Sequence, residues 1–256
     1  MKALAIVGGA GRMGQTLARG LGARDEFHVV ALVDAHEPGE LSGARYATTL
    51  NELNDVSLDV VVDFSSPAGV LASAAWCAAH GVALVVGTTG LGDEHFDALR
   101  AAAAHVGVVV ASNFALGAVL AERFAAVAAP YFERVEIIEL HHDRKVDAPS
   151  GTALATAHAI ADARRVAGCA PLNEPTTTFV VDGARGANVV DGVVVHSIRL
   201  PGLVAHEEIL FGSAGEGLTI RHDSYERTSF LPGVAIAVSY VNASRPGLLR
   251  GIGSLL

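Results

Sequence analysis

Residues 3–21 read ALAIVGGAGRMGQTLARGL, and the fold class turns on how this stretch is understood. Ala3 to Val7 is a short apolar run suited to a buried strand. It passes directly into Gly9, Gly11 and Gly14, a GxGxxG triplet, with a helix-like segment after it. The three glycines serve different physical needs, namely a tight turn, backbone room beside a pyrophosphate, and close packing of helix on sheet. In a chain with 28 glycines such a triplet is weak by itself, so its surroundings carry the reading. A second apolar run, His28 to Val33, ends in Asp34, twenty residues past Gly14, where a carboxylate can reach the hydroxyls of an adenosine ribose. This predicts dinucleotide binding, set against a plain glycine-rich turn in an α/β fold without a cofactor. Asp34 would repel a 2′-phosphate and so favours NADH, while Arg12 and His36 offer positive partners that keep NADPH open.

The pattern continues as an alternation of strands and helices. Leu58 to Phe64 reads as a third strand, near-continuously apolar as a parallel strand covered on both faces should be. Ser65, Ser66 and Pro67 start a helix, Val82 to Val86 is a fourth strand ending in Gly87, Thr88, Thr89 and Gly90, and Asp93 to His105 is helical. Val106 to Ala111 is a fifth strand. A doubly wound α/β sheet follows, with Phe64, Gly87 to Thr89 and Ala111 to Phe114 at its ligand-binding carboxyl edge. After a long helix, Leu116 to Tyr131, the composition shifts. Thr176 to Val181, Val193 to Arg199, Leu203 to Phe211 and Glu216 to His222 read as short strands joined by glycine turns, hence a second α+β domain with a mixed or antiparallel sheet. Such a sheet has edges and a face to cover, which predicts self-association. Pro232 to Val241 is a helix and Leu248 to Leu256 an apolar tail, forming either a separate cap or a return to the first domain.

Composition bounds the function. The 256 residues are 51% hydrophobic and carry a formal charge of −9, against the basic surface that a nucleic-acid binder needs. No charge-free apolar stretch reaches membrane-spanning length, and the N-terminal apolar run meets glycines too soon for a signal peptide, so a soluble, cytoplasmic protein is expected. Cys77 and Cys169 form no CxxC, and no metal site is expected, since neighbouring His141, His142 and Asp143 would point apart.

Residues 136–152, EIIELHHDRKVDAPSGT, carry the chemistry. A β-compatible run ends in His141, His142, Asp143 and Arg144, then Lys145. Asp147 to Thr152 look like a helix start with Pro149 and the capping hydroxyl of Ser150. Proton donors beside free helix N–H groups suit an anionic substrate that undergoes proton transfer. The bland alternative is a charged surface loop.

Taken with GTTG, NFALG, LPGLVAHEEILFG and LTIRHDSYERTSFLPG, the block HHDRKVDAPSGT resembles the 4-hydroxy-tetrahydrodipicolinate reductase (dihydrodipicolinate reductase) family of bacterial lysine and diaminopimelate biosynthesis. The resemblance implies His141 as general acid, Lys145 as proton donor or its helper, His142 as a substrate contact, and Ser150, Gly151 and Thr152 as the cradle of a substrate carboxylate. It implies Gly9, Gly11, Arg12, Met13 and Gly14 at the pyrophosphate, Asp34 at the ribose, Gly87, Thr88 and Thr89 beside the nicotinamide ribose, Ala111 and Phe114 at the nicotinamide, and Arg227 and Phe230 in a late segment on the cofactor side. Further implications are a cyclic imine dicarboxylate substrate, NADH or NADPH as reductant, and a homotetramer. The implied organisation is a dinucleotide-binding domain over 1–115, a substrate and oligomerisation domain over 116–226, and a C-terminal segment, 227–256, returning to the first. Family members that prefer the phosphorylated cofactor often carry arginine directly after the ribose carboxylate. Ala35 stands there, which leans toward NADH or dual use. Other readings are a different Rossmann dehydrogenase and a dinucleotide-sensing protein without turnover.

Overall fold

The computed structural model describes residues 1–39 and 43–256. The chain forms two compact units, Met1–Phe114 with Arg227–Leu256, and Ala115–Glu226. In chain order its elements are β1 (Lys2–Val7), α1 (Arg12–Gly22), β2 (Phe27–Val33), β3 (Arg45–Ala47), β4 (Val60–Asp63), α2 (Pro67–His80), β5 (Ala83–Val86), α3 (Asp93–Ala103) and β6 (Gly107–Val110). Then come α4 (Leu116–Ala128), β7 (Arg134–His141), α5 (Gly151–Val166), β8 (Ala187–Val190), β9 (Val193–Arg199), β10 (Ala205–Ser213), β11 (Glu216–Ser224), α6 (Leu231–Tyr240) and β12 (Gly247–Arg250).

The first unit is a doubly wound sheet of seven parallel strands in the order β12-β6-β5-β4-β1-β2-β3. The order reverses between β1 and β4, so the chain leaving these two strands diverges and opens a crevice at their carboxyl ends. β4, β5 and β6 are buried at every position, as valine-rich strands between two helical layers should be. α1 packs through Gly14, Leu17, Ala18 and Leu21, one stripe at helical spacing. α2 starts where Ser66 Oγ accepts the Gly69 N–H at 3.2 Å, has Pro67 at its first position, and stops at Gly81 with φ of 65°. The C-terminal segment belongs to this sheet, because β12 pairs with β6 from Gly247↔Gly107 to Arg250↔Val110.

The second unit is built on a five-stranded mixed sheet, β11-β10-β7-β9-β8, in which β7 and β9 run parallel and the other neighbours antiparallel. α4 and α5 cover one face. Ala121, Ala125, Ala157 and Ile160 of these helices meet Val135, Ile137, Val195 and Ile209 of the strands. Two expectations are corrected here. Thr176 to Val181 forms no strand: Val180 and Val181 are 93% and 65% exposed, and β-branched propensity gains nothing without a neighbouring strand to bond and pack against. The edge beside β9 goes to β8 instead. The helix read to Tyr131 ends at Ala128 and tightens into a 3₁₀ turn over Ala129–Tyr131, where Pro130 has no N–H for an α-helical bond. No helix among the described residues is long and apolar enough to cross a membrane.

Candidate active site

In the first unit, the residues singled out in the sequence gather along the carboxyl edge of the sheet. Gly11 caps α1 with no side chain, which leaves the first helix N–H groups for a ligand oxygen or water. A Cβ on Gly14 would lie 2.1 Å from the Gly8 carbonyl oxygen, so helix and strand approach as closely as glycine permits. Asp34, at the end of β2, accepts the Ala10 N–H at 3.0 Å and the His36 N–H at 3.2 Å, which sets its carboxylate against the glycine loop. Arg12 is exposed and Met13 half-buried in the same loop. A bare helix end with a carboxylate beside it fits the pyrophosphate and ribose of a dinucleotide.

Further along the edge, Gly87, Thr88 and Thr89 follow β5. Thr88 is buried, and its hydroxyl donates to Asp63 Oδ1 and accepts the Ser65 N–H, each at 2.9 Å. Asp63 is fully buried and also accepts from Ser65 Oγ at 2.7 Å and Ser73 Oγ at 2.6 Å. Thr88 therefore anchors its loop through its side chain, while exposed Thr89 keeps its hydroxyl at the surface. Ala111 and Phe114 are buried, the Phe114 ring 5.6 Å from that of Phe64, so that what these two positions offer a ligand is backbone. Arg227 and Phe230 bound a 3₁₀ turn that packs against α1 in this same unit. Sequence reading passed over Asp63, although an acidic residue ending an apolar strand just before two serines is a legible signal.

In the second unit the site is made of side chains. β7 ends at His141, and two residues back on the same face stands Glu139, fully buried. Each oxygen of Glu139 accepts two hydrogen bonds. Oε2 takes them from His141 Nδ1 at 2.5 Å and Arg199 at 2.9 Å, and Oε1 from Arg199 at 2.8 Å and the Ser150 N–H at 3.2 Å. Burial pushes the Glu139 carboxyl up, but the bonds from His141, Arg199 and Ser197 outweigh it and hold it at about 2. Arg199 also donates to the Asp147 carbonyl at 2.7 Å, and the Asp147 carboxylate takes both Lys145 contacts, at 2.8 and 2.7 Å. One network thus joins His141, Lys145 and Ser150. His142 follows half-buried, its carbonyl accepting the Lys145 N–H at 3.1 Å to close the turn.

Ser150 is buried and caps α5, its Oγ accepting the Ala153 N–H at 3.2 Å. Its polar atoms are largely committed to structure. Next to it Gly151 is exposed, with no atom within 4 Å of where a Cβ would stand, and half-buried Thr152 follows in the first turn. The exposed residue of this helix start is therefore Gly151.

A single row runs across the sheet: His222, Glu207, Glu139 and Ser197 are cross-strand partners on the face that α4 and α5 cover. One end of that face is apolar, with Val135, Ile137, Val193, Val195, Ile209 and Phe211, and the other ionisable. Two buried carboxylates side by side repel. Their surroundings push the two carboxyl groups in opposite directions. Burial pushes Glu207 up to about 7, helped by the nearby Glu122 and Glu139 against one bond from Thr156 Oγ1 at 3.1 Å, whereas Glu139 stays ionised among its donors. Burial also holds the His222 imidazole below its ordinary value.

A Rossmann-type sheet with a bare glycine loop and an acidic residue ending β2, together with an α+β unit carrying a histidine–carboxylate pair at a capped helix, defines a class: two-domain oxidoreductases. Family models for the N-terminus and the C-terminus of dihydrodipicolinate reductase match residues 2–114 and 116–256. The chain belongs to the dihydrodipicolinate reductase family. It is 48% identical over 254 residues to the 4-hydroxy-tetrahydrodipicolinate reductase of Mycolicibacterium vanbaalenii, covering 98% of this chain and 97% of that one. It is 47% identical over 262 residues to that of Bifidobacterium animalis subsp. lactis, covering 99% and 98%. Among solved structures, a dipicolinate-bound dihydrodipicolinate reductase from Paenisporosarcina sp. TG-14 superposes with a TM-score of 0.84 at 39% identity over the whole of both chains. GenD2 of gentamicin A biosynthesis, solved with NAD, shares the fold at 22% identity, with a TM-score of 0.63 over 96% of this chain and 88% of that one.

Proposed function

We propose that this protein catalyses the NAD(P)H-dependent reduction of the cyclic imine derived from 4-hydroxy-tetrahydrodipicolinate to tetrahydrodipicolinate, in the biosynthesis of diaminopimelate and lysine. The observation that carries this reading is the folded form of HHDRKVDAPSGT, in which His141, Lys145 and the start of α5 belong to one hydrogen-bonded network. A reduced nicotinamide, when bound, supplies the hydride. Gly9, Gly11, Arg12, Met13 and Gly14 hold its pyrophosphate, Asp34 its adenosine ribose, and Gly87 to Thr89, Ala111 and Phe114 its nicotinamide half, with Arg227 and Phe230 on the same side.

Hydride addition to C4 of the conjugated imine leaves an enamine anion that must gain a proton. His141 is the donor in this reading, because an imidazole can both carry and give up a proton in catalysis. Lys145 supplies positive charge next to the developing anion. In the free protein its ammonium is neutralised by Asp147, and a substrate carboxylate competes for it. The second carboxylate sits on Gly151 and Thr152 at the start of α5, with Ser150 fixing that helix end and His142 alongside. Oriented N–H groups and the positive helix end contribute on the order of 1 to 3 kcal/mol there.

Asp34 and Ala35 support NADH or dual cofactor use. The half-buried apolar residues Ile138, Leu140, Ile198 and Leu210, on the face of the mixed sheet opposite α4 and α5, support assembly into a homotetramer through that face. The deciding experiment follows reduced-nicotinamide absorbance with imine generated freshly from pyruvate and aspartate semialdehyde by the preceding synthase. Oxidation that depends on the imine is expected, with NADH at least matching NADPH. A folded protein that binds dinucleotide but oxidises neither would overturn the assignment in favour of a sensor.

A further inference from the structure

The hydrogen-bond pattern around Glu139 constrains which nitrogen of His141 can act. An ionised carboxylate accepts and cannot donate, and Glu139 is fully buried among donors on both oxygens. Its contact with His141 Nδ1 at 2.5 Å therefore requires a proton on Nδ1. The other ring nitrogen, Nε2, is left to exchange a proton with a ligand. Arg199 grips the same carboxylate with both terminal nitrogens, at 2.9 and 2.8 Å, and reaches on to the Asp147 carbonyl, which fixes the plane of Glu139 and hence the direction of the His141 ring.

We propose that Glu139 is a positioning residue for the reaction: held by Arg199, it locks His141 as the Nδ1–H tautomer and directs Nε2 as the proton-donating atom. This rests on the functional reading above and names the atom that does its chemistry. The proton balance is simple. The imidazolium gives the Nε2 proton to carbon of the enamine anion, which becomes the neutral product; the ring remains as neutral Nδ1–H imidazole, and one proton from bulk solution, the proton that each reduction consumes, restores Nε2–H before the next turnover. Glu139 stays ionised throughout, since Arg199, Ser150 and the Nδ1–H that His141 keeps all continue to donate to it. Without such a carboxylate, free imidazole favours the opposite tautomer, which presents its lone pair on Nδ1, the wrong nitrogen.

The test begins with the unmodified protein. Nitrogen NMR of histidine-labelled enzyme, with His141 assigned by the signal lost in His141→Gln, should show neutral His141 with a protonated Nδ1 and a bare Nε2. Glu139→Gln should shift the ring toward the Nε2–H form and lower kcat at least about tenfold, while KM for the imine moves much less. A wild type that turns over yet holds neutral His141 as the Nε2–H tautomer overturns the inference alone, as does a folded Glu139→Gln variant with undiminished kcat. An Nδ1–H ring in a protein without imine reduction instead overturns the functional reading on which the inference rests. The wild-type tautomer is read without Glu139→Gln, so the test stands if that variant does not fold.

Discussion

The carboxyl edge of the parallel sheet and the polar end of the mixed sheet are built in opposite ways. The first works by leaving things out. Gly11 and Gly14 have no side chains, α1 starts without a side-chain cap, and the one prominent buried carboxylate, Asp63, is consumed in tying Ser65, Ser73 and Thr88 together. The second works by crowding charges in: Glu139, Arg199, His141, Lys145 and Asp147 are bonded in one network, with Glu207 beside them in the same row. Backbone cradles depend on shape and tolerate changes of pH. Side-chain networks depend on protonation as well as on shape.

Glycine substitutions test the contrast most severely. Gly14→Ala would force a Cβ against the Gly8 carbonyl, a backbone atom that cannot swing aside. We expect a loss of about 3 kcal/mol or more in denaturant unfolding, together with loss of dinucleotide binding. Gly151→Ala, with open space around its Cβ, should leave folding stability within about 0.5 kcal/mol and raise only the KM for the imine. If the two variants lose stability equally, the first edge is not the close-packed one.

The next effect is on pH dependence and belongs to the charged end alone. The folded carboxyl of Glu207, at about 7, lies above its unfolded value, so the folded state binds the extra proton between the two. Its contribution is fully present below the unfolded pKa of about 4.3 and is lost as pH rises through about 7. Above that range the cost is about 4 kcal/mol. Glu207→Gln removes this term, so its stability should gain on the wild type as pH climbs from 5 to 8. Glu122 and His222 titrate in both proteins, so curves that run parallel over that range would show Glu207 already ionised.

Smaller effects refine the division of labour. Lys145→Ala should lower turnover at least about tenfold and leave dinucleotide affinity nearly unchanged, and normal turnover would remove Lys145 from the mechanism. Ser150→Ala should cost about 1 kcal/mol of stability through the lost cap of α5, measured by thermal unfolding. An unchanged midpoint would mean that water replaces the Ser150 oxygen at the Ala153 N–H.

What could be read along the chain was whatever is local. A strand, a glycine turn and a helix within twenty residues reveal a βαβ unit, because each step depends on neighbours in sequence. The helix start after His141 was legible for the same reason, since Pro149 and Ser150 act on the next few residues. Propensity misled where a strand needed a partner, as at Thr176 to Val181, whose β-branched residues meet none. Glu139 was in plain view two residues before His141, yet nothing local gave it a role, because its charge is balanced by Arg199 from 60 residues away.

The doubly wound first unit, the change to a mixed sheet and the chemical types at the site all follow from the order of residues alone, since hydrophobic period, turn residues and helix caps are short-range physics. Three outcomes required the folded chain: β12 closes the first sheet beside β6, Thr88 anchors on Asp63, and Glu139 and Glu207 stand side by side with their carboxyl pKa values pushed in opposite directions. They depend on which strands become neighbours and how much water they exclude, and a carboxyl group takes its protonation state from that surrounding.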